Sequence, residues 1–202
     1  VYAKQARAEQ TQRRLLGAAA AELARHGYAG TSLSRVSARA DVTMGALTFH
    51  FPSKAHLAEA VHRQGHEATR ALVGRVAARG LSPLQSIIDL SHGLLALLRE
   101  NDAVRAAWRS SRDGAAREDW YDGWLPWTEQ RAVVAGREHQ LRPGCRPDLL
   151  PLFVECLVPG VAERLDGTSA HHDLLTALWA GLLPGIAAPG CLDFLHPGGA
   201  PP

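Results

Sequence analysis

Two short helical patterns stand almost back to back between Thr31 and Leu57, in the stretch TSLSRVSARADVTMGALTFHFPSKAHL. Thr31 or Ser32 caps the first, in which Leu33, Val36 and Ala40 recur at i, i+3 and i+7. Thr43 is placed to cap the second, Met44 to about Phe49, and Pro52 and Ser53 restart the chain into a helix with Leu57, Ala60 and Val61 on one stripe. Helices this short are not stable alone and must dock on a neighbour. The second has small, uncharged residues where a surface helix carries Lys and Glu.

Upstream, Leu15, Leu16, Ala19 and Leu23 define a narrow apolar stripe on a helix from Arg7 to His26. Gly27 is expected to close that helix as a left-handed residue, with Tyr28 folding back onto the last turn. A helix over 31–40, a three-residue turn and a helix over 43–50 is the helix-turn-helix spacing, whose second helix enters a DNA major groove. The bare face then has a purpose. Gly45, Ala46 and Thr48 let the backbone approach base edges, while Leu47 and Phe49 or Phe51 anchor the other side. Thr43 and Met44 stand at the helix start, and His50 and Lys54 suit phosphate contacts that set register rather than sequence. Thr31 and Ser32, at the start of the preceding helix, complete the candidate DNA-facing set.

Charge points the same way. Residues 1–57 hold eight Lys and Arg against three Asp and Glu, whereas residues 58–202 hold 14 against 17. A basic end on an acidic body is the footprint of a chain that lays one end on a polyanion.

Beyond residue 80 the pattern remains helical. Ser82, Pro83 and Gln85 form a capping box before SIIDLSHGLLALLR, and helices follow at about 102–111, 119–138, 148–165 and 171–187, broken by RPGCRP and DGTSA. No segment sustains period-two alternation, so the fold class is all-α. The expected organisation is a DNA-binding domain over 1–57, a ligand-binding and dimerisation domain over 58–188 and a loose Pro- and Gly-rich tail over 189–202.

Other function classes find little support. At 46% hydrophobic residues the chain builds a real core, and it has no apolar run long enough to span a bilayer and no signal-peptide pattern. Cys145, Cys156 and Cys191 show neither disulfide nor metal spacing, so a reducing cytoplasm is the expected setting. Cys156 reads as core packing, and Cys145 and Cys191 as loop residues. His62 and His66 with Glu59 could hold a metal on one helix face, but a solvated flank is the plainer reading; His171 and His172 are expected at an exposed helix start. There is no phosphate loop, serine elbow or catalytic carboxylate pair, so neither an enzyme nor a cofactor is expected.

The block GYAGTSLSRVSARADVTMGALTFHFPSKAHL resembles the DNA-binding domain of TetR-type repressors. KQARAEQTQRRLLGAAAAEL, GALTFHF and LWAGLLPGIA resemble most the γ-butyrolactone autoregulator receptors of antibiotic-producing actinobacteria. Three departures stand out: the family commonly has Lys at Met44, Tyr at Thr48 and Gly at Asp41. Asp tolerates a left-handed turn. The other two remove a cation and a phenol from the reading helix, which implies a shifted operator preference or weaker affinity.

The resemblance implies a ligand site among the helices between about 80 and 180. Trp120, Trp124 and Trp127 recur at i, i+4 and i+7, lining one face of the predicted 119–138 helix. Trp124 also lies 17 positions before Leu141, the family's spacing from its pocket tryptophan to a Glu-Leu-x-Pro segment. It is the candidate ligand-stacking residue, with Trp127 and Trp108 as neighbours and Gln85, Ser91, Thr128 and Gln130 as hydrogen-bonding candidates. The apolar pair DLLPLFVECLVPGVAERL and HDLLTALWAGLLPGIA corresponds to the family's dimer-forming helices. Such a dimer sets two reading helices about 34 Å apart on a palindromic operator. A small hydrophobic signal, a γ-butyrolactone or similar compound, would release it. A divergent pseudo-receptor sensing an antibiotic or its precursor, and an efflux-gene regulator sensing xenobiotics, share the fold and remain open.

Overall fold

The computed structural model describes residues 2–114, 119–164 and 170–201. Ten α-helices are formed by these residues: α1 (Tyr2–Gly30), α2 (Leu33–Ala40), α3 (Met44–His50), α4 (Lys54–Ala78), α5 (Pro83–Glu100), α6 (Asp102–Arg112), α7 (Leu125–Arg137), α8 (Leu149–Arg164), α9 (Ala170–Ile186) and α10 (Pro189–Leu192). Among the described residues there is no strand, only an isolated bridge between Leu141 and Ala187. The chain forms two compact units, Val1–Ala68 with Glu100–Tyr121, and Thr69–Arg99 with Asp122–Pro202.

In the first unit the stripe of α1 does what its spacing requires. Leu15, Ala19 and Leu23 are buried against Val36 and Ala40 of α2, Leu47 of α3, Phe51, Leu57 and Val61 of α4, and Ala103 and Ala106 of α6. Helix α1 runs further than expected, and Gly27 is not left-handed helical: its φ of 65° comes with an extended ψ of 179°, a break inside the assigned helix. The break is fixed by Thr31, whose hydroxyl donates to the Gly27 carbonyl at 2.7 Å.

Glycine has a packing reason at Gly65 of α4. A methyl there would fall 2.5 Å from the Ala103 carbonyl oxygen, so α4 and α6 approach each other through hydrogen-sized space. The flank reading of the neighbouring histidines is overturned by the same packing. His66 is 2% exposed, and His62 Nε2 lies 2.8 Å from Ser110 Oγ of α6.

The second unit is organised around α5, whose apolar residues face several neighbours at once: Leu84, Ile87, Ile88, Leu90, Leu94, Leu95 and Leu98 are all buried. Trp179 of α9 is also buried and donates its indole N–H to Ser91 Oγ at 2.8 Å. The start of α5 keeps half of its expected capping box. The Ser82 hydroxyl accepts from the Gln85 amide, but the Gln85 side chain turns away to His196 and Asp89.

That detour corrects the loose tail. Residues 189–192 form α10, and the following segment is fastened to α5: Gln85 Oε1 accepts from His196 N–H at 2.8 Å, Asp89 Oδ1 from Ala200 N–H at 2.9 Å, and His92 Nε2 lies 2.8 Å from the Pro197 carbonyl. Gln85, Asp89 and His92 lie on one face of α5 at i, i+4 and i+7, and all three read main chain. Cys191 therefore lies in a helix rather than a loop.

The 119–138 helix is also corrected. Trp120–Gly123 is a 3₁₀ turn and α7 begins only at Leu125, with Trp124 as its first flanking residue at φ −146° and Pro126 inside the first turn. The break removes the shared helical face of Trp120, Trp124 and Trp127. His171 is buried at 1% exposure, against expectation. Of the DGTSA break, 166–169 lies outside the described residues, as does Leu165.

Candidate nucleic-acid interface and ligand site

The turn between α2 and α3 is held by several local devices. Ser32 caps α2 by accepting from the Arg35 amide, and Thr43 caps α3 by accepting from the Ala46 amide at 3.2 Å. Asp41 between them is left-handed, φ 49° and ψ 53°. Its carboxylate and carbonyl both accept from Arg14 of α1, at 3.0 and 3.1 Å.

Helix α3 is pinned on one side only. Leu47 is fully buried and Phe51 nearly so, which settles the anchor as Phe51; Phe49 is 83% exposed. Successive helical positions turn by about 100°, so Gly45 and Phe49, two residues either side of Leu47, lie on the outward side. Met44, Gly45 and Thr48 are also exposed, and Ala46 is half-buried. The Thr48 hydroxyl is turned inward, 3.1 Å from both the Met44 and Gly45 carbonyls. Phe49 stacks edge-on against His50, their centroids 5.4 Å apart.

The flanking candidates divide. Lys54 sits with its ammonium 4.6 Å over the Tyr28 ring and 3.4 Å from the Ala29 carbonyl, and Ser32 and His50 are half-buried at the rim. Thr31 is buried and serves the α1 break. Of the basic residues in this unit, Arg35 and Arg39 lie 2.9 and 4.0 Å from the buried Glu22 carboxylate, while Arg7, Arg13 and Arg25 stand exposed. Phe49 as an outward residue was missed because its apolar type matched the anchor role. The phase of 100° per residue from Leu47 was the signal available.

The ligand candidates are placed as follows. Trp124 is 1% exposed, and both the amide and the hydroxyl of Thr128 donate to its carbonyl, at 3.1 and 3.0 Å. Trp127 is half-buried with the Arg131 guanidinium 5.9 Å from its centroid. Gln85 is buried with its amide committed to His196 and Asp89, Ser91 is buried on Trp179, and Gln130 is exposed. Trp108 belongs to the first unit, buried, with Arg112 5.0 Å over its ring. Among the described residues no group of three His, Cys, Asp or Glu side chains is arranged to hold a metal ion, and no helix is long and apolar enough to cross a membrane.

A capped helix-turn-helix in the first unit, joined to a second helical unit, is an architecture that suits a DNA-binding protein. The family model described as bacterial regulatory proteins, tetR family, matches residues 15–61, from α1 into α4. The chain is 32% identical over 203 residues to the A-factor receptor protein of Streptomyces griseus, covering 98% of this chain and 71% of that protein. It is similar to a solved γ-butyrolactone receptor (ArpA-like protein), with a TM-score of 0.82 at 26% identity over 95% of this chain and 96% of that one. It is also similar to CprB from Streptomyces coelicolor in complex with its operator, with a TM-score of 0.81 at 30% identity over 92% of each chain. The chain belongs to the TetR family of ligand-responsive, DNA-binding regulators, closely related to the γ-butyrolactone receptor group.

Proposed function

We propose that this chain is a dimeric repressor that binds a palindromic operator through α3 and is released by a small hydrophobic signal of the γ-butyrolactone kind, controlling antibiotic and secondary-metabolism genes. The observation that carries the reading is the one-sided α3: Leu47 buried, Gly45, Thr48 and Phe49 outward, on a unit with exposed cations. Thr43, Met44, Gly45, Ala46, Thr48, His50 and Lys54 form its DNA face, with Ser32, the cap of α2, at its rim; Thr31, buried at the α1 break, does not reach it.

Dimerisation is supported by the outward faces of α8 and α9. Leu152, Cys156 and Gly160 on α8, and Ala177, Gly181 and Gly185 on α9, are all exposed at i, i+4 and i+8. Small and apolar residues at that spacing allow close helix packing, and the exposure of Cys156 replaces the reading of it as core within one chain. The ligand reading is supported by the buried Trp124 and by the receptors to which the chain is similar. Release requires only that the signal bind better to a conformer with the wrong spacing of reading helices.

Fluorescence anisotropy on DNA from upstream of the chain's own gene, at fixed salt, is the test. Specific binding reversed by a γ-butyrolactone supports the receptor reading. Reversal only by an antibiotic makes it a pseudo-receptor, reversal by many unrelated xenobiotics makes it an efflux regulator, and absence of specific binding overturns operator recognition by this face.

A further inference from the structure

Base edges in a major groove present hydrogen-bond donors and acceptors, and one apolar feature, the C5-methyl group of thymine. The outward side of α3 offers little to the polar features. Met44, 42% exposed, presents a thioether chain, and Gly45 and Ala46 present no functional group. Thr48 is exposed and commits its one hydroxyl proton to the Met44 and Gly45 carbonyls, which leaves it no donor for a base edge and its methyl group as the apolar contact it can offer. Phe49, 83% exposed, is the largest group on the face, and no residue of α3 before His50 carries a charge. An exposed apolar face on a short helix, in a unit that also carries the exposed cations Arg7, Arg13 and Arg25, fits a partner that is anionic outside and apolar at its floor.

We infer that α3 reads its operator by apolar contact with thymine methyl groups, with Phe49 as the principal specificity-determining residue and the Thr48 methyl and Met44 side chain beside it. The inference rests on the proposed operator binding. It accounts for Met44 and Thr48, where the resemblance leads one to expect Lys and Tyr: an apolar reader has no use for the cation. It also gives Phe49 a role that the core does not.

The test begins by selecting the preferred duplex from a random pool, which must show specific, two-fold-symmetric binding; failure at that point overturns operator binding and the inference together. Each thymine in the selected half-site is then replaced by deoxyuridine, which deletes only the methyl group. At least one replacement is expected to weaken binding about fourfold, the worth of one buried CH₂-sized group, and Phe49→Ala is expected to lose that sensitivity while keeping its thermal midpoint. Thr48→Ser, which deletes the Thr48 methyl group and keeps its hydroxyl, should weaken binding. Specific binding that ignores every methyl deletion, or a Phe49→Ala protein that retains the wild-type methyl sensitivity, overturns the inference and leaves the operator reading standing.

Discussion

The Arg14 guanidinium holds Asp41 by two bonds, 3.0 Å to its carboxylate and 3.1 Å to its carbonyl, so α1 grips the left-handed residue that turns α2 into α3. A non-Gly residue in this conformation carries a strain of roughly 1 kcal/mol, which Asp and Asn bear best. The pair itself is exposed, with Asp41 at 95% side-chain accessibility, and contributes little through its charges. Asp41→Gly is therefore expected to change the thermal midpoint by only a few degrees, and Asp41→Ala to lower it by about 2–4 °C, since it loses the carboxylate half of the grip and keeps the strain. Thermal unfolding by circular dichroism measures both. An Ala variant as stable as wild type would show that the turn is not held by this residue.

Gly65 makes a sharper demand. A methyl there would meet the rigid main-chain oxygen of Ala103 at 2.5 Å, whereas one at Gly93 would meet the movable Leu72 side chain at the same distance. Gly65→Ala is expected to cost about 1–3 kcal/mol by overpacking, and Gly93→Ala markedly less. Urea titration of the two variants decides it; equal losses would mean that α4 and α6 can part freely.

What the sequence made legible was whatever rests on neighbours in the chain. The caps Ser32 and Thr43, the stripe Leu15, Ala19, Leu23 and the boundaries of α2, α3, α6 and α8 follow from spacing, because a helix sets its own register. What it hid was set at a distance. Gln85 has the right position for a capping box, but its amide finds His196, 111 residues away. Trp124 fits a helical stripe, but Pro126 allows α7 to begin only after it. His66 and His171 read as surface residues because histidine is common there, and only packing shows them buried. Phe49 and Phe51 are equivalent as letters and differ in phase.

Acid should weaken the chain at two places. His62, in the first unit, has its pKa pushed below the ordinary 6.5 by burial and then by His66. His92, in the second, is lowered by burial and His172 against the opposing pull of Pro197 and Asp89. In each case the unfolded chain binds more protons below pH 6.5 than the folded one does. The stabilisation is complete above that pH and is lost as pH falls from it through the lower folded-state value. Urea midpoints are expected to be lower at pH 5.5 than at 7.5, and His62→Gln and His92→Gln should each flatten the dependence. A midpoint unchanged between these pH values would refute the assignment.

The exposed stripes of α8 and α9 predict a dimer that a single large side chain can disrupt. Gly181→Arg has open space within the chain, with nothing within 4 Å of a Cβ there, so the fold of one protomer should survive. Sedimentation should show a monomer with unchanged helicity, and operator affinity should fall by at least tenfold because two linked reading helices become one. A Gly181→Arg protein that remained dimeric would move the interface elsewhere.

Trp124 offers a test of the ligand site that separates sensing from folding. It is buried at the start of α7 and its carbonyl holds Thr128, so Trp124→Ala would open a cavity and cost about 3–5 kcal/mol. Trp124→Phe keeps most of the volume and the whole main-chain contact, and is the useful variant. If the indole stacks on the signal, Trp124→Phe should bind operator like wild type but need at least tenfold more γ-butyrolactone for release, and the emission change on adding the lactone should shrink with it. If the indole only packs the second unit, the thermal midpoint should fall while the release curve stays in place.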